Sequence, residues 1–178
     1  NNYFVNKKLF YYIPTFVDLS LVKIIGCLLY FNKKNYILKS QFTSFKDFLY
    51  SINFTFRVDK IKIENIFFRK LNIKDLILRE LYLRQNLNAS IIGLQNYFFA
   101  KNLKDKKIEL KSVLNWSENS IVDKGWNYGF RSSYESLNTF GYQGYYVEKK
   151  LSSIDITSNE FKSKTCPEYI MIVGSILN

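Results

Sequence analysis

Residues 115–146, NWSENSIVDKGWNYGFRSSYESLNTFGYQGYY, differ from the rest of the chain in the chemistry their side chains offer. They hold both tryptophans, four of the seven glycines, and two carboxylates five residues apart, Glu118 and Asp123. The chain has no histidine, so Ser-His-Asp and Cys-His catalysis are excluded within it, as is any zinc site that needs a histidine. With only two cysteines, Cys27 and Cys166, an all-cysteine tetrahedral site is excluded as well. A general base must then be Asp, Glu, Lys, Tyr or Cys, and Glu118 is the candidate. The structural alternative is that Glu118 is a first-turn carboxylate that complements a helix dipole. Asp123, Lys124 and Arg131 read equally as a solvated helix face with paired charges.

The elements that would position this segment follow from its periodicity. Ile108–Trp116 is predicted as a buried strand, Ser117 as an N-cap, and Glu118–Tyr134 as a helix with Glu118 in its first turn. Leu137–Gln143 is the next predicted strand and Ile170–Val173 a third, so strand, helix and strand form a right-handed parallel crossover. The expected fold class is α/β, a mostly parallel sheet with flanking helices. In such sheets ligands bind outside the carboxyl ends of the strands. Glu118, Asn119 and the Gly141-Tyr142-Gln143-Gly144 stretch are therefore expected to converge on one concavity at that edge. Trp126 and Phe130, four residues apart, are expected in the core. Gly125 and Gly129 cost about 1 kcal/mol each inside a helix, which points to close packing against a neighbouring element.

Upstream, helical spacing is predicted over Thr15–Tyr30, Gln41–Tyr50, a segment capped by Asn72, and Ala89–Leu103, the last two as core helices. Ile52–Ile66 alternates in part and reads as strand or loop. Cys27 reads as a buried small hydrophobe, and nothing suggests a disulfide framework, so a reducing cytoplasm is expected. A 47% hydrophobic content suffices for a core. No apolar run is long enough for a membrane span, so the expectation is a soluble, intracellular chain. The net charge of +11 comes from 21 Lys and only 5 Arg, scattered in ones and twos. Arg supplies the bidentate fork that phosphate recognition favours, so a solvated basic surface is expected and specific nucleic-acid binding is not. A peripheral contact with an anionic membrane is a further expectation. Neither G-x-x-x-x-G-K-[ST] nor a strand-borne G-x-G-x-x-G is present, which argues against a phosphate-cradling nucleotidase or a dinucleotide enzyme.

The pattern W-x-E-N-x-x-x-D-K-G-W-N-x-G-F-R (Trp116–Arg131), followed by G-Y-Q-G (Gly141–Gly144), resembles bacterial surface-carbohydrate biosynthesis proteins of the capsule or O-antigen type. These are similar to glycosyltransferases built from two Rossmann-like domains facing across a cleft. Tyr12–Asp18, the Phe68-Arg69 region and the closing C-P-E-Y-I-M-I-V-G extend the likeness over most of the chain. The resemblance implies an acceptor-side domain over residues 1–169, with residues 170–178 starting a second, donor-binding domain. It implies that the chain is an amino-terminal fragment, with a glycan or lipid-linked glycan as acceptor. It also implies a nucleotide-sugar donor held by the other domain, with no cofactor or metal in this one. Glu118 would be catalytic, and Asn119, Asp123, Lys124, Arg131 and Gln143 would bind substrate. Where related transferases carry a histidine, Gly144 and Tyr145 stand here, so no histidine role transfers. A non-catalytic structural or interaction module of the same pathway is the alternative.

Overall fold

The computed structural model describes residues 11–14, 20–31, 37–83, 87–144 and 155–172. The chain divides into two compact units, Asn1–Ser44 and Phe45–Asn178. In the first unit, helix α1 spans Leu21–Phe31, and a short 3-10 turn follows at Lys39–Gln41. Ile37 N–H donates to the Tyr12 carbonyl at 2.9 Å, and Ile37 is buried. Cys27, expected to be buried, is only half-buried on α1. Of the helix expected over Thr15–Tyr30, residues 15–19 lie outside the described residues.

The second unit begins with α2 (Phe45–Ile52) and α3 (Phe54–Val58). The partial alternation of Phe54, Phe56 and Val58 suggested strand or loop, but these residues form a short helix. A two-stranded hairpin follows, β1 (Phe67–Phe68) and β2 (Leu71–Asn72), closed by Arg69 and Lys70, both at positive φ. Asn72 does not cap helix α4 (Lys74–Leu83) as expected. It ends β2, and its Oδ1 accepts from Lys74 N–H at 3.0 Å, an Asx turn one residue out of capping register. No residue of α4 is buried, so it is not the core helix its stripe of Ile and Leu suggested.

The core forms between α5 (Leu87–Asp105) and α6 (Ile121–Ser133). A Cβ placed on Gly125 would fall onto the Gly93 carbonyl, and one on Gly129 would lie 2.9 Å from Ala100 Cβ and from Tyr97 Cα. The glycines thus let two helix backbones touch, as their cost inside a helix implied. With that approach fixed, Phe99 stacks on Trp126 at 5.9 Å and meets Phe130 edge-on at 6.3 Å. Phe99, Ala100, Leu103, Trp126 and Phe130 are buried, and the Tyr134 hydroxyl donates to Ile108 O at 2.9 Å. Burial, reinforced by the nearby Asp105 charge, pushes the Tyr134 phenol up to about 12.

The α6 helix joins two parallel neighbours in a three-stranded sheet, β3 (Ser112–Trp116), β4 (Asn138–Gln143) and β5 (Tyr169–Ile172), in that spatial order. The molecule is therefore mixed α/β with a small parallel sheet and helices. Val113, Asn115, Thr139, Gly141 and Ile170 fall on one face by register, all of them buried or half-buried. Short helix α7 (Ser158–Lys162) precedes β5. Among the described residues no helix is long and apolar enough to cross a membrane.

Gly125→Ala tests the helix contact. Removing a mid-helix glycine gains about 1 kcal/mol of helix propensity, while overpacking a rigid backbone contact costs about 1–3 kcal/mol. The clash involves backbone on both sides, so the cost should win. We expect urea unfolding to show a net loss of stability for Gly125→Ala. Equal or higher stability would show that the two helices separate without penalty.

Candidate functional site

The carboxyl edge of the sheet carries the residues singled out above. The chain leaves β3 at Trp116, and Ser117 N–H donates to Tyr142 O at 3.0 Å, extending the parallel ladder by one bond. Ser117 is buried but does not cap the helix as expected. Asn119 stands at φ 54, in the left-handed region, and so breaks the path to a helix start at Glu118. Asn is one of the few residues that enters this region at low cost. Helix α6 begins only after Ser120, whose Oγ accepts from Asp123 N–H at 3.3 Å while Asp123 Oδ2 accepts from Ser120 N–H at 3.1 Å. This is a reciprocal capping box, with Asp in place of the more usual Glu or Gln. The first-turn carboxylate is therefore Asp123, and Glu118 lies outside the helix.

Each candidate has a definite place. Glu118 is exposed, and its Oε1 accepts from Trp116 Nε1–H at 2.8 Å. Its own N–H donates to Asp123 Oδ2 at 2.9 Å, the same oxygen that receives the Ser120 hydroxyl at 3.0 Å. Asp123 is thus a three-way anchor for the loop. Asn119 Nδ2–H donates to Glu160 Oε1 at 3.3 Å, and Lys124 Nζ meets the same oxygen at 2.7 Å. Arg131 lies further along α6, donating to Cys166 O at 2.9 Å with its plane 4.8 Å from the Phe161 ring centre. It holds the segment before β5 and does not approach Glu118 through any of these bonds. Gln143 ends β4 at the same edge as Glu118 but is buried. Glu118 and Gln143 therefore share the carboxyl edge, one exposed and one covered.

Two features were not anticipated. Glu160 opens α7 in a second capping box, with Thr157 N–H and Oγ1–H donating to its Oε2 at 2.8 and 2.9 Å. The T-x-x-E spacing announces this box in sequence. Its link to Lys124, 36 residues away, has no sequence signal. The Lys124 ammonium, followed by the Thr157 backbone N–H, holds the Glu160 carboxyl down to about 2 from an ordinary value of 4.5. The second feature is the sheet's other face. By register Leu114, Phe140 and Tyr169 form one row, and Trp116, Tyr142 and Met171 the next. Leu114 is 62% exposed, Trp116 49% and Tyr169 52%. Trp116 meets Tyr142 edge-on at 5.6 Å, and Phe140 stacks on Tyr169 at 5.1 Å. The carboxylate of Glu118 is tied to the Trp116 end of this platform.

Among the described residues no group of three His, Cys, Asp or Glu is placed to hold a metal ion. Comparison with protein-family models, with curated proteins and with solved structures gives no match for this chain.

The Glu160 contacts predict an acid limb in stability. A carboxyl whose pKa is depressed on folding stabilises the fold fully above its unfolded value and loses that contribution as pH falls toward its folded value. We expect the Glu160 contribution to be complete above about 4.5 and lost between about 4.5 and 2. Unfolding midpoints of the wild type and of Glu160→Gln should converge as pH falls through that window. A constant difference between them from pH 6 to pH 2 would show that Glu160 is not charged and paired in the fold.

Proposed function

We propose that this chain supplies the acceptor-side domain of a glycosyltransferase acting in bacterial surface-polysaccharide assembly. The small parallel sheet is read as part of a Rossmann-like half, whose nucleotide-sugar donor belongs to a second domain. The observation that carries the proposal is the Trp116–Tyr142 platform with the Glu118 carboxylate hydrogen-bonded at its end. A sugar ring offers an apolar face of C–H groups and an equator of hydroxyls. Exposed aromatic rings match the first, and a carboxylate matches the second by accepting hydroxyl protons.

The charge distribution favours a neutral glycan over a nucleic acid on this face. The three strands read SVLNW, NTFGYQ and YIMI, without one charged side chain. Nucleic-acid binding draws most of its affinity from cations against phosphates, and this face provides none from its strands. In the proposed reaction Glu118 is the general base. Its Oε1 is held by the Trp116 indole, which orients the carboxylate. The acceptor hydroxyl gives its proton to Oε2 as its oxygen bonds to the anomeric carbon of the donor sugar, and the bond from that carbon to the phosphate breaks, the nucleoside phosphate leaving with the electron pair. Asn119 and Lys124 help through Glu160, fixing the turn that carries Glu118. Asp123 anchors the same turn from its other side.

A second reading, the non-catalytic interaction module, is favoured by the breadth of the exposed face. Leu114, Phe140, Tyr169 and Met171 extend it well beyond one sugar ring. Parallel sheets are ordinarily covered on both faces, so an apolar protein surface would also fit.

The two readings separate in one experiment. Calorimetric titration of the chain with neutral surface-polysaccharide oligosaccharides should show saturable binding, lost in Trp116→Ala and kept in Glu118→Gln. In the transferase that contains this chain, Glu118→Gln should lower the transfer rate by roughly two to four orders of magnitude with little change in melting temperature. Wild-type transfer by Glu118→Gln would remove the general base and favour the interaction module. Sustained transfer from a nucleotide sugar by the 178-residue chain alone would overturn the two-domain reading.

A further inference from the structure

Four helices, α2, α3, α5 and α6, line a cavity of about 710 Å³. Helix α5 presents Leu94, Tyr97, Phe98 and Lys101 to it, a helix-spaced stripe distinct from the buried Asn96, Phe99, Ala100 and Leu103. A helix that is apolar on two faces is normally covered on both, and here the second face borders open volume. Helix α6 contributes Ile121, Lys124 and Tyr128, again at helical spacing, and Tyr50 of α2 with Phe54 of α3 completes the wall.

The rings support one another and keep the wall formed. Tyr50 meets Phe98 edge-on at 5.4 Å, and Tyr97 stacks on Tyr128 at 5.6 Å. Tyr50 and Tyr128 remain exposed, so the apolar wall continues to an open mouth. A volume of this size is in the range of small-molecule sites, about 300–1,000 Å³. The charge on the lining is one-sided. Lys46, Lys101 and Lys124 set three ammonium groups against the single carboxylate of Asp47 among the described lining residues. Asp47 Oδ2 already accepts from Asn102 at 2.8 Å, and Lys124 is paired with Glu160 at 2.7 Å. Lys46 and Lys101, both exposed, are left as the cations that face a ligand. Lysine lays its stem on apolar surface and keeps its ammonium at the water boundary, which is the arrangement an amphipathic anion requires.

We propose that this cavity binds a single-chain anionic amphiphile. Its apolar tail lies along Leu94, Phe98 and Phe54, and its anionic head meets Lys46 and Lys101. No residue of the Trp116–Tyr142 platform lines the cavity, nor does Glu118. Lys124, which lines it and also braces the Glu118 turn through Glu160, is left unchanged in the variants below, so the two readings are tested separately.

The test is calorimetric titration of the chain, below micelle-forming concentrations, with decanoate, decyl phosphate and decanol. Decanoate or decyl phosphate should bind with one-to-one saturation and at least about tenfold more tightly than decanol, a difference of about 1.4 kcal/mol. Binding of one anion and not the other supports the site and assigns its head group. Lys46→Glu with Lys101→Glu should remove the preference for the anions, leaving oligosaccharide binding unchanged. If that pair fails to fold, Lys46→Gln with Lys101→Gln gives the same comparison with less perturbation. Leu94→Trp, which fills the wall, should abolish all three interactions. Absence of saturable anion binding by the wild type, equal affinity for decanol, or full anion preference in the charge variants would each overturn the proposal.

Discussion

The backbone contact between Gly93 and Gly125 is the constraint on which the second unit depends. Two mid-helix glycines cost about 2 kcal/mol in helix propensity relative to alanine. What they permit is the burial of Phe99, Trp126 and Phe130 in one aromatic cluster, and each large buried side chain contributes about 1.5–3 kcal/mol. The balance favours the close crossing. Once α6 is held there, both of its ends are committed. Its start delivers Ser120, Asp123 and Lys124 to the carboxyl edge of the sheet, and its end leads through Tyr134 into β4. The exposed flanks of the same helix pair, carrying Tyr97 and Tyr128, border the cavity. The sheet edge and the cavity are thus two consequences of one contact.

The sheet itself is unequal on its two faces. One is covered, with polar Thr139 and Gln143 buried alongside Gly141. Thr139 is satisfied there, its Oγ1 accepting from Glu168 N–H at 3.0 Å. The other face gathers Leu114, Trp116, Tyr142, Tyr169 and Met171 and leaves them exposed. Exposed apolar groups scattered singly need no explanation, whereas this patch is contiguous and in register, which is the ground of the proposed binding surface. Its rings pair with one another across strands, Trp116 with Tyr142 and Phe140 with Tyr169.

Sequence periodicity was informative where two neighbours impose it and weaker where one residue or an absent neighbour decides. The strand ending at Gln143 was legible because burial of one face gives it its pattern. The buried strand expected over Ile108–Trp116 is shorter, Ser112–Trp116, and none of its residues is buried, so its apolar run marked a strand but not a covered one. Gly125 and Gly129 were legible because their cost inside a helix requires a packing reason. The start of α6 was misplaced by three residues, since W-S-E-N-S offers two serines as caps. The choice between them rests on Asn119 turning left-handed, which no periodicity reports. Helix α4 carries a proper apolar stripe, yet a stripe says which residues share a face and not what covers it. The alternation of Phe54, Phe56 and Val58 over so short a run suits a strand as well as the single helical turns that form. The aromatic platform needs Trp116 and Tyr142 side by side, which follows only from strand register.

The hydrogen bonds at the edge separate Glu118, the base of the proposed reaction, from the other carboxylates there. Asp123 concentrates three donors on one oxygen to fix the loop and the helix start. Glu160 gives one oxygen to its own cap and the other to Lys124 and Asn119. Glu168 accepts from Thr139 N–H and lies 3.9 Å from Arg131, which binds it to the β5 side of the sheet. Each of these carboxylates would have to loosen the element it holds in order to take a proton from a substrate hydroxyl. Glu118 has one oxygen oriented by the Trp116 indole and is itself exposed, outside both capping boxes. The bond from the Trp116 indole goes to Oε1 alone. The other carboxylates therefore do more than stabilise the fold: by fixing the turn on both sides they confine Glu118 to the end of the aromatic surface.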